Sequence, residues 1–243
     1  MKQHLNTILF CLAIIIGLSI VANAYKYKFT SSETVSVTGM SEIDFTSDLI
    51  VWGGSFSRNA INLKDAYAAL KQDEIALKMY LISKGIADSN IVFSSVSMLK
   101  NFQHLYDEKG NEKSEVFSGY TLTGNVRVES HEIEKVEKLS REITEVLEKG
   151  IELNSNTPEY YYTKLNELKI GLLAKASEDA KTRAVTIAKN SGASLGGIKR
   201  ANMGVFQITG KNVNETYSYG GSFNTSSKLK TASITLKVEY QLK

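Results

Sequence analysis

The apolar side chains of this 243-residue chain recur with a period that switches repeatedly between two residues and three to four residues. Alternate apolar positions indicate a half-buried strand, whereas a spacing of three and four indicates one face of a helix. The switches predict the element order β-β-α-β-β-α-β-α-β-β. Successive strands with short connections pair antiparallel, so the predicted fold class is α+β, with one or more antiparallel sheets and helices packed on one face.

The strand-like segments are short and are bounded by polar turns. A polar tip at Asp107, Gly110 and Asn111 separates two of them, which predicts a long antiparallel hairpin. The predicted strands cover residues 33–45, 48–58, 91–105, 116–129, 160–162, 198–208 and 231–242.

Three helices are predicted between these strands, over residues 62–85, 130–150 and 164–190. Asn62 is expected to cap the first helix by accepting from the amide of Asp65, as in a capping box. Glu74 falls on the apolar face of that helix, where it either reaches solvent at the edge or meets a partner subunit. The third helix carries an alanine stripe that allows close approach to a sheet.

The first 24 residues have the pattern of a secretory signal peptide. Lys2 precedes the apolar run Ile8–Val21, and the small residues Ala22 and Ala24 flank Asn23 at the exit. The run is shorter than the roughly 20 residues that span a bilayer. We expect cleavage after Ala24 and a periplasmic protein without a stable membrane span. The alternative is an uncleaved segment, residues 5–22, that anchors the chain in the inner membrane.

Composition limits what the mature residues 25–243 can do. The single cysteine, Cys11, lies in the leader, so the mature chain has no thiol, disulfide or thiolate metal site. The whole chain has a formal charge of +3, and removal of Lys2 with the leader leaves +2, so there is no electrostatic case for binding nucleic acid or a membrane surface. The length suits one domain of two packed halves, stabilised by packing alone.

The mature chain shows no contiguous catalytic or metal-binding motif. His104 and His131 have no second histidine, cysteine or carboxylate at ligand spacing, and both are predicted to lie at the surface. Sequences typical of a nucleophile elbow, a zinc protease, a P-loop or a dinucleotide fold do not occur. We therefore expect no catalytic, cofactor or metal site, and no enzymatic activity.

The segment from Gly210 to Lys228 is rich in Gly, Ser, Asn and Thr and is predicted to be a long, mobile loop. It carries Tyr217, Tyr219 and Phe223. Aromatic side chains on a polar loop form a contact surface in many complexes. The alternative is that these three fold back on the sheet.

Four segments spread over nearly the whole mature chain carry a recognisable pattern. They are Val35–Glu42, Leu81–Ile86 with Asn90-Ile91, Gly119-Tyr120, and Ala176–Ala184 with Ala188, Gly192 and Leu195-Gly196. Together they resemble the SIMPL-domain family. A departure from the family is Ser47-Asp48, where relatives often have Pro-Asp.

The resemblance implies a periplasmic or envelope protein. Bacterial relatives are described as immunogenic periplasmic proteins or as oxidative-stress defence proteins, and the family brings no catalytic residues. A eukaryotic relative binds a signalling kinase, which implies a binding role by analogy only.

These observations lead to a primary hypothesis and two alternatives. The primary hypothesis is a non-enzymatic envelope protein that forms a homo-oligomer or binds another envelope protein, with a link to oxidative-stress defence implied by the resemblance. The first alternative is a small-molecule or lipid binder with a cavity between helices and sheet. The second is a hydrolase with a noncontiguous site.

Overall fold

The computed structural model describes residues 2–30, 33–215 and 218–243. In the first helix it describes the side chains of residues 10–26. Helices and strands alternate in the predicted manner, which confirms the α+β class. The helices are α1 (Lys2–Thr30), α2 (Leu63–Ser83), α3 (Ile133–Glu142) and α4 (Leu165–Asn190), with 3₁₀ segments at Asp88–Asn90 and Ile143–Lys149. The strands are β1 (Thr34–Thr46), β2 (Leu49–Ala60), β3 (Ile91–Phe93), β4 (Ser97–Tyr106), β5 (Glu112–Ser130), β6 (Leu153–Ser155), β7 (Glu159–Tyr161), β8 (Leu195–Met203), β9 (Gln207–Gly210), β10 (Ser222–Phe223) and β11 (Leu229–Leu242).

One sheet is built around β11, which pairs antiparallel with β1 on one edge and with β8 and β9 on the other. The short strand β10 adds parallel to β9. Helix α4 covers one face of this sheet. Its buried residues recur every four positions, which keeps small side chains against the strands. They are Leu172, Ala176, Ala180, Ala184 and Ala188.

The backbones of α4 and β1 lie close together at Gly39. A Cβ atom at Gly39 would lie 2.2 Å from the carbonyl oxygen of Ala176 and 2.6 Å from the amide nitrogen of Ala180. The carboxylate of Asp179 also accepts from the backbone N–H of Met40 at 2.9 Å and from Arg183 at 2.9 Å. Glycine and alanine therefore let the two backbones meet, and Asp179 fixes their register.

The second sheet is built around β2 and β5, which pair antiparallel over residues 50–60 and 120–130. Strands β3 and β4 pair with the other edge of β5, while β6 and β7 pair with the other edge of β2. Helices α2 and α3 pack on this sheet. The largest fully buried side chains in the resulting core are Trp52, Phe56, Ile50, Leu70, Leu77, Leu81, Leu139, Ile143 and Ile151.

Polar contacts join the two sheets. The Asp48 carboxylate accepts from the backbone N–H and the hydroxyl of Thr163, both at 2.7 Å. The backbone N–H of Tyr160 donates to the carbonyl of Thr225 at 2.7 Å. The rings of Phe45 and Tyr162 lie 4.9 Å apart. The connection between β1 and β2 is thereby tied to the start of α4.

Several elements differ in detail from the sequence prediction. The predicted strand over residues 91–105 is split into β3 and β4. The predicted second helix changes to a 3₁₀ helix at Ile143, so Val146 is buried and Leu147 is exposed. The Asn62 cap is confirmed, but its side chain accepts from the amide of Lys64 at 2.9 Å rather than from Asp65. The side chain of Ser130 accepts from the amide of Glu132 at 3.0 Å, and Ser130 lies two residues before the N-cap position of α3.

A partly buried ion pair joins β2 to α2, one position before Glu74, the residue that the sequence placed on the apolar face of that helix. Glu74 pairs with Lys71 at the surface. Asp73 is the buried carboxylate, and it accepts from Nε of Arg58 at 2.5 Å and from Nη2 at 2.8 Å. The same Nη2 atom donates to the carbonyl of Gly150 at 2.7 Å. Arg58 thus joins β2, α2 and the end of the 3₁₀ segment.

The segment between β9 and β11 is anchored to the sheet, whereas the sequence predicted a long loop. Asn224 is buried, and its carbonyl and side-chain oxygens accept from Nζ of Lys230. Lys230 itself is only 2% exposed. The segment therefore supplies the polar partners of a buried lysine, and we expect its removal to leave that lysine unsatisfied.

Lys230 makes the stability of the fold depend on pH. Burial lowers the pKa of Lys230 to about 8, from an ordinary value of 10.5. Above pH 8 the folded chain releases a proton that the unfolded chain still holds, so stability rises with pH. We expect a gain of about 2 kcal/mol between pH 7 and 9.5, relative to Lys230→Met.

Urea unfolding of both proteins across that range measures the effect. The range ends at pH 9.5 because burial and the hydrogen bond to Glu137 raise the pKa of Tyr160 to about 12. Above about pH 10 the unfolded chain loses a proton that folded Tyr160 keeps, so the free energy of unfolding falls. Parallel pH profiles for the two proteins would contradict the assignment.

Candidate functional site: a hairpin arm

The second sheet continues into a hairpin that extends beyond its helices. We call residues 97–118, which comprise β4, the turn and the first part of β5, the hairpin arm. Its antiparallel pairing runs from Ser97 opposite Thr123 to Tyr106 opposite Glu112. The turn is closed by Asp107, which accepts from the amides of Lys109 and Asn111 at 2.9 Å each. The predicted hairpin is therefore confirmed.

Gly119 connects the arm to the rest of the second sheet. This residue has a φ of 128°, a conformation that side-chain-bearing residues rarely adopt, and a Cβ atom there would lie 2.7 Å from the carbonyl oxygen of Ala60. Residues of β5 after Gly119 pair with β2, whereas those before it pair with β4 alone among the described strands. Gly119 thus marks the point where β5 leaves the sheet.

Both faces of the arm carry exposed apolar side chains. Side chains alternate along a strand, so Phe102 shares a face with Met98 and Tyr106, whereas Leu99 and Leu105 lie on the other face. Within the arm, the large apolar residues between 41% and 64% exposed are Met98, Leu99, Phe102, Leu105, Tyr106, Val116 and Phe117. Contiguous exposed apolar area of this kind is uncommon on a monomeric protein and marks contact surfaces.

Aromatic rings order the base of the arm. The rings of Phe102 and Phe117, on opposite strands, have centroids 5.9 Å apart at 74°. Phe117 also meets Tyr120 with centroids 5.1 Å apart at 67°. Such edge-to-face contacts stabilise a cross-strand pair. These contacts therefore stabilise the pairing of β4 with β5 in the part of the arm nearest the sheet.

The two long edges of the arm offer backbone groups for pairing. Among the described residues, no strand pairs with the outer edge of β4 or with the opposite, outer edge of β5 before Gly119. Charge repulsion between copies would do little to prevent pairing at these edges, because the arm has three lysines and four carboxylates and hence little net charge. An exposed strand edge with little net charge is a template for adding another strand.

A polar cluster lies between the aromatic rings and the turn. Nδ1 of His104 is 2.7 Å from Oε1 of Glu112 and 3.3 Å from Oε1 of Glu115. The hydrogen bond to Glu112 raises the pKa of His104. His104 and His131 are both exposed, as the sequence predicted. The carboxylates near His104 were not apparent from sequence spacing, because the strand register brings them together.

The residues predicted as an interface on the segment between β9 and β11 are only partly placed. Tyr217 lies outside the described residues. Tyr219 is fully exposed, and Phe223 is half-exposed with its ring 6.4 Å from that of Tyr161. The role of these aromatics as a contact surface stays a prediction.

The predicted cleavage residues lie in α1. Ala22 and Ala24 are both exposed on this helix. Within the part of the chain that the structure describes, no helix has the length and hydropathy needed to cross a membrane. Cleavage after Ala24 stays a prediction.

Comparison with known families assigns this architecture. The profile of SIMPL, described as a protein of unknown function (DUF541), matches residues 35–241. The chain belongs to the SIMPL family. No curated protein matches the chain. The SIMPL match covers both sheets, α2 to α4 and the hairpin arm.

The residues that carried the SIMPL resemblance have structural roles. Gly39, Asp179 and Ala180 form the contact between β1 and α4, and Gly119 marks the start of the arm. At the departure from the family pattern, the backbone N–H of Ser47 donates to the carbonyl of Lys228 at 2.9 Å, a bond that proline cannot make.

Proposed function

We propose that this SIMPL chain is a non-enzymatic envelope protein that assembles with further copies of itself through the hairpin arm. The observation that supports the proposal most strongly is the combination, in one element, of two apolar faces and two edges with which none of the described strands pairs. The secretory pattern of residues 1–24 supports a periplasmic location.

The physics of an isolated hairpin favours a partner for the arm. A two-stranded ribbon is marginally stable in water, and three or more strands with a covered face are needed for independent stability. Antiparallel addition of a strand at β4 satisfies its outward N–H and C=O groups, as in β-augmentation. The same addition covers apolar side chains such as Leu99 and Leu105, which contributes the hydrophobic part of the association.

A second copy of this chain is the occupant that the arm fits. An edge strand pairs antiparallel with its own copy about a two-fold axis, so each residue contact occurs twice. The arm's three lysines and four carboxylates nearly cancel, so two arms approach with little repulsion. A strongly charged partner would have no complementary field here.

Light scattering of the purified chain tests the proposal. We expect a mass of at least two chains, where one chain is 26.9 kDa, or correspondingly less if the leader is removed. The double variant Leu99→Glu/Leu105→Glu places like charges on one face of the arm and is expected to reduce the mass to that of one chain. The control Ile170→Glu changes an apolar residue on α4 that is more exposed than either leucine, and it is expected to keep the oligomer. A monomeric wild type, or an unchanged mass for the double variant, would contradict the proposal.

A second candidate is a small-molecule binder, which one groove favours. It has a volume of about 540 Å³ and lies where α4 crosses the edge of β1, lined by Val37, Thr38, Arg183 and Ile187 among others. Its two aliphatic side chains, Val37 and Ile187, and its single cationic side chain, Arg183, suit an amphiphile with an anionic head. A monomeric wild type in the same experiment would favour this candidate over assembly.

A further inference from the structure

We propose that His104, Glu112 and Glu115 form a binding site for a divalent transition-metal cation of the Zn²⁺ class near the tip of the hairpin arm. One ligand atom from each residue lies within 4.8 Å of the other two. The site uses polar side chains, whereas the assembly surface uses apolar side chains and strand edges. All three ligands come from one copy of the chain.

A β-bulge assembles the three side chains. His104 is directly opposite Glu115, and Leu105 is opposite Ser114, but the next pair is Tyr106 with Glu112, so Lys113 has no partner. In a regular strand Glu112 and Glu115, three residues apart, would project from opposite faces. The extra residue turns Glu112 to the face of His104, and re-aiming a side chain is a recognised use of bulges.

The spacing of the ligand atoms suits a small cation. Zn²⁺ lies about 2.0–2.2 Å from nitrogen and oxygen ligands, so neighbouring ligands of a tetrahedral site lie about 3.3–3.6 Å apart. The separation of 3.3 Å between His104 and Glu115 is in this range. The shorter separation of 2.7 Å between His104 and Glu112 is that of a hydrogen bond, which lengthens when a metal replaces the shared proton.

The donor set selects the class of metal. One imidazole nitrogen with two carboxylate oxygens matches Zn²⁺ and its neighbours, whereas Ca²⁺ and Mg²⁺ prefer oxygen ligands alone. Three protein ligands leave a coordination position open for water or for another ligand.

Calorimetric titration of the full chain with Zn²⁺, and visible spectra with Co²⁺ in its place, test the site. We expect one equivalent bound at this site, with His104→Gln and Glu115→Gln each weakening the affinity more than about tenfold. His131→Gln is the matched control and is expected to bind as the wild type does.

The outcome is distinguishable from that of the assembly test, because the assembly-deficient variant Leu99→Glu/Leu105→Glu retains all three ligands and is expected to bind Zn²⁺. Absence of saturable binding would overturn the proposal and leave a cross-strand ion pair. Binding that is equally tight in His104→Gln would also overturn it.

Discussion

Replacing Gly39 by alanine is expected to destabilise the fold by about 3 kcal/mol or more, at or beyond the upper end of ordinary overpacking. The added Cβ atom would lie 2.2 Å from the carbonyl oxygen of Ala176 and 2.6 Å from the amide nitrogen of Ala180. Both are backbone atoms of α4, so relief requires moving the helix away from β1. That movement would also break the hydrogen bond from Met40 to Asp179.

Urea unfolding midpoints of purified variants measure this effect. Gly53→Ala is the matched control, because Gly53 also lies in a strand and a Cβ atom there would be 3.5 Å from its nearest neighbour, an ordinary contact. We expect the control to unfold close to the wild type. Equal midpoints for the two variants would mean that α4 does not rest on β1 as described.

Removing the arginine of the buried ion pair is expected to cost about 3 kcal/mol, the lower end of the range for such pairs because Arg58 is partly exposed. Arg58→Met leaves the Asp73 carboxylate buried without its two charged hydrogen bonds and also deprives the Gly150 carbonyl of a donor. An unpaired buried charge carries the full cost of leaving water.

A double-mutant cycle isolates the pair. Asp73→Leu in the Arg58→Met background removes the stranded charge, so we expect the double variant to recover part of the lost stability. Lys78→Met removes an exposed partner of Asp88 and is expected to change stability by less than about 1 kcal/mol. The account of Arg58 would be contradicted if its variant were no less stable than Lys78→Met.

Sequence periodicity was sufficient to locate a helix or strand where the local pattern alone determines it. The ends of β1, β2, α2 and α4 lie within two residues of those predicted. The break between β3 and β4 was missed because it depends on pairing, since these strands meet different stretches of β5. The 3₁₀ segment after Ile143 was missed because its tighter winding follows from packing and leaves no mark in the sequence period.

The candidate site was less predictable than the fold. Alternation identified the hairpin, but it shows only which side chains share a face and not whether another element covers them. The cluster at His104 depends on the strand register and on one bulged residue, and Glu112 and Glu115 lie eight and eleven positions away in the sequence. The sequence pattern put Glu74 on the apolar face of α2, whereas the buried carboxylate of that helix is Asp73, one position earlier.

Disulfide trapping between arms tests the central claim, that arm contacts arm, most directly. In a Cys11→Ala background, single cysteines are introduced in turn along β4 from Leu99 to Leu105, with Ile170→Cys on α4 as the exposed control. Antiparallel pairing about a two-fold axis brings equivalent residues near that axis within the 4.4–6.8 Å Cα separation of a disulfide, as a rough guide. The account predicts efficient covalent dimers at one or two adjacent positions and a declining yield on either side. Yields no higher than that of the Ile170→Cys control at every position would contradict it.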